Sequence, residues 1–371
     1  MTTPLRVADM ASYLAATGWT RRPETWRGAS IWDGQGGHEA LVPARDGLDD
    51  AEDRAWELLH VLAKVEGRPI EDIAEDIASP TTDAPFFRTF PADLPTGYIG
   101  LTAGLRALQG VRTVLDAAGR AEIEGTRAAF SGTHPSAVGN LLDQVRLGPS
   151  KRGSYVLTLR VPVEEPAQSE LWTEAAPLAR RALTRLLRAI TAAHAATMDV
   201  REGGDFSAFD ETIAEGVSAN LCRGLSDLAG PQRRQPFEIG FRWAWAVPSD
   251  LVPTSVTFPE GAGAVMFEAA KQLERLAAGG QARITGVIES LHDEPFGSDR
   301  WRVRVRGELV TDDGDVDSRR PVWVRLSSSD YQRAIEAHRE HRTVRARGRL
   351  ELAQRRVELL PDVDGFEIIG G

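Results

Sequence analysis

The chain has 371 residues, 42% apolar and 26% charged, which is more than one ordinary core holds and excludes a wholly disordered chain. Its net charge of −10 disfavours non-specific contact with duplex nucleic acid over most of the surface. The sequence has no run of about eighteen apolar residues, and its first residues, MTTPLRVADMASYL, lack a signal-peptide pattern, so a cytoplasmic protein without a membrane span is expected.

In chain order, Val7, Met10, Ala11 and Leu14 share one helical face, and Gly18 ends that helix. WRGASIW (26–32) and HEALV (38–42) read as a hairpin around DGQGG. Asp49 and Asp50 suit the positive end of the next helix, which carries Trp56, Leu59 and Leu62 on one side. A short helix after Pro69 turns Ile70, Ile73 and Ile77 inward. Residues 1–79 therefore form a small helix–hairpin–helix unit. This element order, with its YL…GW…hairpin pattern, resembles the double-stranded-RNA-binding-like fold of HicA-type toxins. That family carries a catalytic histidine in its hairpin, where His38 stands, but the glycine–serine context before it is missing, and the resemblance implies no activity here.

The proline-rich stretch 80–95 reads as a linker with one extended piece, FFRTF. Helices are expected at about 100–121 and 135–147, a strand at 153–163, and helices at 172–197 and 208–228. The helix at 208–228 holds the single cysteine, Cys222, read as a core thiol; one cysteine allows no internal disulfide and no multi-cysteine zinc site. PFEIGFRWAWAV (236–247) reads as a strand with TSVTF (254–258) beside it, and a helix at 262–277 closes the segment. Residues 96–278 are thus expected to be an α+β domain, a central antiparallel sheet with helices against it. The stretch NLLDQVRLGPSKRGSYVLTLRVPV resembles actinobacterial proteins, which implies a lineage only.

Beyond Gly279-Gly280 the apolar period changes to two. Strands are expected at 282–291, 301–310 and 321–327, a helix at 329–342, and strands at 343–352 and 355–361. This order resembles the OB-fold family, which implies a five-stranded C-terminal barrel over 281–371.

In that barrel Arg302, Arg304 and Arg306 alternate with Trp301, Val303 and Val305, and Trp323 and Arg325 oppose Val322, Val324 and Leu326. Arg345, Arg347 and Arg349 repeat the pattern. Cations beside an indole suit single-stranded nucleic acid, whose phosphates need charge and whose bases stack; the same alternation suits a solvated barrel face balanced by Glu289, Glu308 and Glu351. Basic residues are nearly all arginine, the mark of a GC-rich bacterial genome, which weakens any argument from arginine number.

Lys151 and Arg152, between Gly148 and Gly153, form a candidate anion site in a helix-to-strand loop that lacks P-loop order. Asp313, Asp315 and Asp317 alternate as in hard-cation loops, but Ser318 and Val324 stand where such a loop needs its glycine and glutamate, so a solvated turn is the reading. His338 and His341 lie one turn apart without a third ligand, and no metal or cofactor is expected. His134-Pro135-Ser136 reads as a helix start capped by Ser136 or Thr133, and Gly261-Ala262-Gly263 as a weak phosphate signal. The preferred functional reading is a non-catalytic macromolecule-binding protein acting through the barrel on single-stranded nucleic acid. The rivals are a protein-interaction subunit of a larger complex and an enzyme acting on a phosphorylated or nucleic-acid substrate. Oligomeric state is open.

Overall fold

The computed structural model describes residues 5–91, 94–148, 155–163, 176–247, 250–278, 280–294, 300–311, 316–317, 321–353 and 356–369, of which 35, 316–317, 351–353 and 356–357 by backbone alone. The fold is α+β. At the N-terminus α1 (Val7–Ala16) is followed by β1 (Thr20–Trp26), β2 (Ala29–Asp33) and β3 (Glu39–Val42), a meander in the order β1-β2-β3, and then by α2 (Ala51–Glu66) and α3 (Ile70–Ala78). The expected hairpin is a three-stranded sheet, because WRGASIW holds a turn: Arg27 and Gly28 both take positive φ and reverse the chain within it. Met10, Leu14, Leu58, Leu62, Ile73 and Ile77 form this unit's own apolar cluster.

The stretch expected to link this unit to the next enters the next sheet instead. It contains β4 (Thr82–Asp83) and β5 (Phe86–Thr89). They join β6 (Arg146–Leu147), β7 (Tyr155–Pro162), β8 (Phe237–Phe241) and β9 (Thr254–Phe258) in the order β4-β7-β5-β8-β9, with β6 on β7. All pairings are antiparallel. Pro85 sits between two strands, where its missing N–H costs nothing, so proline density here marks strand boundaries. β7 is buried at Val156, Leu157, Thr158 and Leu159 in succession, as a strand covered on both faces requires.

The helices on this sheet are α4 (Leu101–Glu124), α5 (Ser136–Gln144), α6 (Leu178–Arg201), α7 (Ser207–Glu211), α8 (Ala219–Leu228) and α9 (Ala262–Ala278). α4 and α8 cross where Gly110 faces Gly224; a Cβ on Gly110 would stand 2.5 Å from the Gly224 carbonyl oxygen, so both glycines serve close helix approach. The helix expected at 208–228 is broken by Gly216 at φ 106 and restarts after Ser218, whose Oγ accepts from the Leu221 N–H at 3.2 Å. The strand expected over 236–247 ends at Phe241, because the chain beyond leaves the sheet to satisfy two other groups. Ala244 N–H donates to Asp83 Oδ1 and Trp245 Nε1–H to the Asp76 carbonyl, both at 2.8 Å.

Asp83 is fully buried and receives a bidentate pair of bonds from Arg180 on α6, each 2.8 Å. Burial pushes this carboxyl above its ordinary range, opposed by the Ala244 N–H and Arg180.

The C-terminal segment is a closed five-stranded barrel. β10 (Gln281–Asp293), β14 (Thr343–Ala353), β15 (Arg356–Ile369), β13 (Pro321–Arg325) and β11 (Trp301–Thr311) neighbour one another in that order, and β10 pairs with β11 to close it. β13 and β15 run parallel and the other neighbours antiparallel; β12 (Val316–Asp317) adds to β11. With α10 (Ser328–Arg339) between the third and fourth barrel strands, the arrangement is OB-like. Closure needs sharply bent strands: β10 is bulged near Ile288–Ser290, and Gly286 lies directly opposite Gly307, where a Cβ on either would collide with the facing backbone. Val303, Val305, Val322, Val324, Leu326, Val344 and Ala346 fill the interior, and Tyr331, Ala334 and Ala337 of α10 cap it. Trp301, which alternation places on the same face as Val303 and Val305, is only partly buried at the edge of that interior.

Candidate nucleic-acid interface

The period-two pattern and the strand register bring the five predicted barrel residues together. Arg302, Arg304 and Arg306 leave one face of β11, and across the ladder Arg302 opposes Arg325 and Arg304 opposes Trp323. Their surroundings are not those of an open cation row. Arg302 is 8% exposed, a correction to the solvated position that alternation implied. Its Nη1 lies 3.1 Å from Glu358 Oε1, and it also pairs with Glu294. Arg325 Nη2 lies 2.8 Å from the other Glu358 oxygen, so one carboxylate, 1% exposed, bridges two opposed guanidinium groups. Arg304 donates to Ser207 Oγ at 3.2 Å and stands 3.8 Å from Glu289. Arg306 pairs with Glu289 and with Asp205 at 3.1 Å, and the hydrogen bond to Glu289 first, then the smaller pull of Asp205, raise its pKa. Asp205 and Ser207 precede and open α7, so this arginine face meets the helical part of the molecule. Trp323 is half-buried, its ring edge-on to His292 at 5.8 Å between centroids.

A second arginine group lies on the neighbouring pair of strands. Arg283 on β10 is directly opposite Arg347 on β14, with Gln281 opposite Arg349 and Thr285 opposite Arg345. Arg283, Arg347 and Arg349 are exposed, and Arg345 reaches Glu367 only at 3.7 Å. Among the described residues neither Arg283 nor Arg347 has a carboxylate partner. Like charges directly opposed on one sheet face are unfavourable unless an anion lies between them. The three arginines of β14 were visible in the sequence as a second alternating row. Arg283 is not marked by alternation alone, because its position opposite Arg347 depends on the β10–β14 register.

Lys151 and Arg152 lie outside the described residues, as do Asp313 and Asp315. The described start of that loop is Gly148, whose N–H donates to the Thr158 carbonyl at 2.8 Å. α5 begins without a side-chain cap; instead His134 Nδ1 lies 2.8 Å from Asp116 Oδ1, beside a hollow of about 350 Å³ lined by Leu108, Val111, Leu115 and Leu142. Gly263 serves packing, since a Cβ there would collide with Ala229. His338 Nδ1–H donates to the Ile288 carbonyl at 2.8 Å. Cys222 is fully buried, and burial pushes its thiol up to about 12. Among the described residues there is no group of three metal-type ligands, and no helix is long and apolar enough to cross a membrane.

Comparison with family models, with curated proteins and with solved structures gives no match in any of the three.

Proposed function

We propose that the chain is a non-catalytic binding protein whose OB-like barrel holds the backbone of a single-stranded nucleic acid on the outer face of β10 and β14. The observation that carries this reading is the Arg283–Arg347 opposition, with no carboxylate partner for either among the described residues, flanked by Arg345 and Arg349. Alternate residues of one strand stand about 6.6 Å apart, so β14 offers a row of cations along which an extended phosphate chain can run. The β11 row, with its carboxylates already in place, acts in this reading as the joint between barrel and helices. Among the described residues no aromatic ring accompanies the β14 row, so contact is by phosphate and sequence-independent. A single strand follows the curved barrel wall; a stiff duplex brings its second backbone against a surface with 37 acidic and 28 basic residues outside 281–371.

The test is fluorescence anisotropy of a short labelled oligonucleotide, single-stranded and duplex, across a salt series. The parent is expected to bind the single strand with a log–log salt slope of about three. Arg283→Glu/Arg347→Glu should weaken binding at least about tenfold, whereas Arg306→Gln should change it little. Absence of saturable binding at low salt, or equal binding by the double variant, overturns the reading.

A further inference from the structure

The N-terminal unit has an open apolar groove that the described residues do not fill. It runs between α1, α2 and α3, is bounded by the 43–48 loop, and has a volume of about 490 Å³. Val7, Met10, Ala55, Leu59, Ile70 and Ala74 line its floor. The hollow exists because alanines of α2 and α3 stand where larger side chains would close the gap between the helices. Trp56 forms one wall and is 52% exposed, an unusual position for a large ring unless something else covers it.

The rim has a definite sign. Asp46, Glu52 and Glu71 border the groove, and Arg6, the basic residue among the described residues that line it, is neutralised by Asp9 at 2.7 Å. Residues 1–79 contain 15 Asp and Glu against 8 Lys and Arg, so the whole unit reinforces that sign. A groove walled by helices, with an apolar floor and no strand edge along it, has the form that takes an amphipathic helix through residues at i, i+3 or i+4, and i+7. The acidic rim selects basic residues flanking that apolar stripe, and the exposed indole offers a cation a ring face.

We infer that this groove receives an amphipathic helix with basic flanks from a partner protein. The chain's own stretch EEPAQSELWTE (164–174) has four glutamates and no basic residue, the wrong sign for this rim.

The probe is a fluorescein-labelled Leu/Lys peptide patterned as an amphipathic helix, titrated into the full chain and read by anisotropy. Two controls are used: the same residues scrambled, and the Leu/Glu version of the same pattern. The patterned Leu/Lys peptide is expected to bind saturably and at least about tenfold more tightly than either control. Glu52→Lys/Glu71→Lys changes only exposed rim charges, and should reverse the preference toward the Leu/Glu peptide. Trp56→Ala should weaken the Leu/Lys peptide several-fold while leaving the circular-dichroism melting curve in place. Arg283→Glu/Arg347→Glu should leave peptide binding unchanged, so the result is independent of the nucleic-acid reading. Equal binding of the scrambled peptide reduces the effect to bulk charge and overturns the inference. So does an unchanged affinity in the rim variant. Self-association of the parent that Trp56→Ala abolishes, without peptide binding, assigns the groove to a second copy and likewise overturns it.

Discussion

Tyr13 shows how one residue's chemistry is set by where the fold places it. Its position on the apolar face of α1 is legible from spacing, but its partners are not, since Glu66 is 53 residues away and Trp245 lies in another sheet's connection. The Oη donates to Glu66 at 2.9 Å, and the ring meets Trp245 edge-on at 5.7 Å. Burial first, and then the Glu66 charge, push the phenol above its ordinary value, with Arg68 opposing. The folded state therefore holds this proton more tightly than the unfolded chain. Stability from this source is complete below the unfolded value of about 10, and is lost as pH rises from there toward the folded value. Between about pH 9 and 11, parent stability should fall with a contribution approaching about 1.4 kcal/mol per pH unit from this one group. Urea midpoints of the parent and Tyr13→Phe across that range provide the check. The variant starts lower, having lost a hydrogen bond, and should decline more gently. Parallel declines would show that Tyr13 does not carry the effect. Arg302 repeats the lesson about partners: its direction on the strand follows from alternation, but its burial depends on Glu358, 56 positions on.

At the scale of elements, the fold is most legible in the sequence where period and order agree, and least where a short strand has proline neighbours. The barrel's strand–strand–strand–helix–strand–strand order was readable because Val303, Val305, Val322, Val324 and Val344 alternate cleanly, and all of these lie inside. β5 shows in the sequence as the extended piece FFRTF, but its place in a sheet, and β4 altogether, are not legible: they are four and two residues long, and only pairing with β7 and β8 makes them sheet. Within the barrel, β13 and β15 are joined by more than their parallel ladder. Glu358 stands opposite Trp323 and accepts from Arg325 and Arg302, which themselves oppose each other across β13 and β11. Glu358→Ala leaves two guanidinium groups face to face with their shared, buried carboxylate gone. Such a change should cost about 3–5 kcal/mol, read as a lowered urea midpoint with the slope unchanged. Replacing all three groups by apolar residues of similar volume should recover most of that loss, because no charge is then left without a partner. A Glu358→Ala variant as stable as the parent would mean that solvent already compensates these charges.

Across the whole molecule, apolar packing and charge divide the chain differently. Among the described residues, the buried apolar ones form two clusters, one within the N-terminal unit and one that continues from the middle sheet and helices into the barrel. Between the two clusters lies an electrostatic seam. Asp72, Glu75 and Asp76 line one side of α3, where like charges at these spacings oppose one another. In the fold Arg242 reaches Asp72 at 2.9 Å and Asp76 at 3.8 Å, while Arg160 pairs with Glu75 and lies 3.4 Å from Asp76. Both arginines are mostly buried, at 14% and 13% side-chain exposure, so salt screens these pairs less than surface ones. Arg242→Gln removes the cation and leaves its carboxylates close to one another, a loss of about 2 kcal/mol at the seam. Since the N-terminal unit has its own core, that loss should appear as a separate low-temperature transition in calorimetry, displaced downward by several degrees, with the main transition in place. Arg306→Gln, at the junction of barrel and helices, should leave that first transition where it is. If Arg242→Gln lowers a single cooperative transition instead, the two clusters unfold as one body and the seam does not separate them.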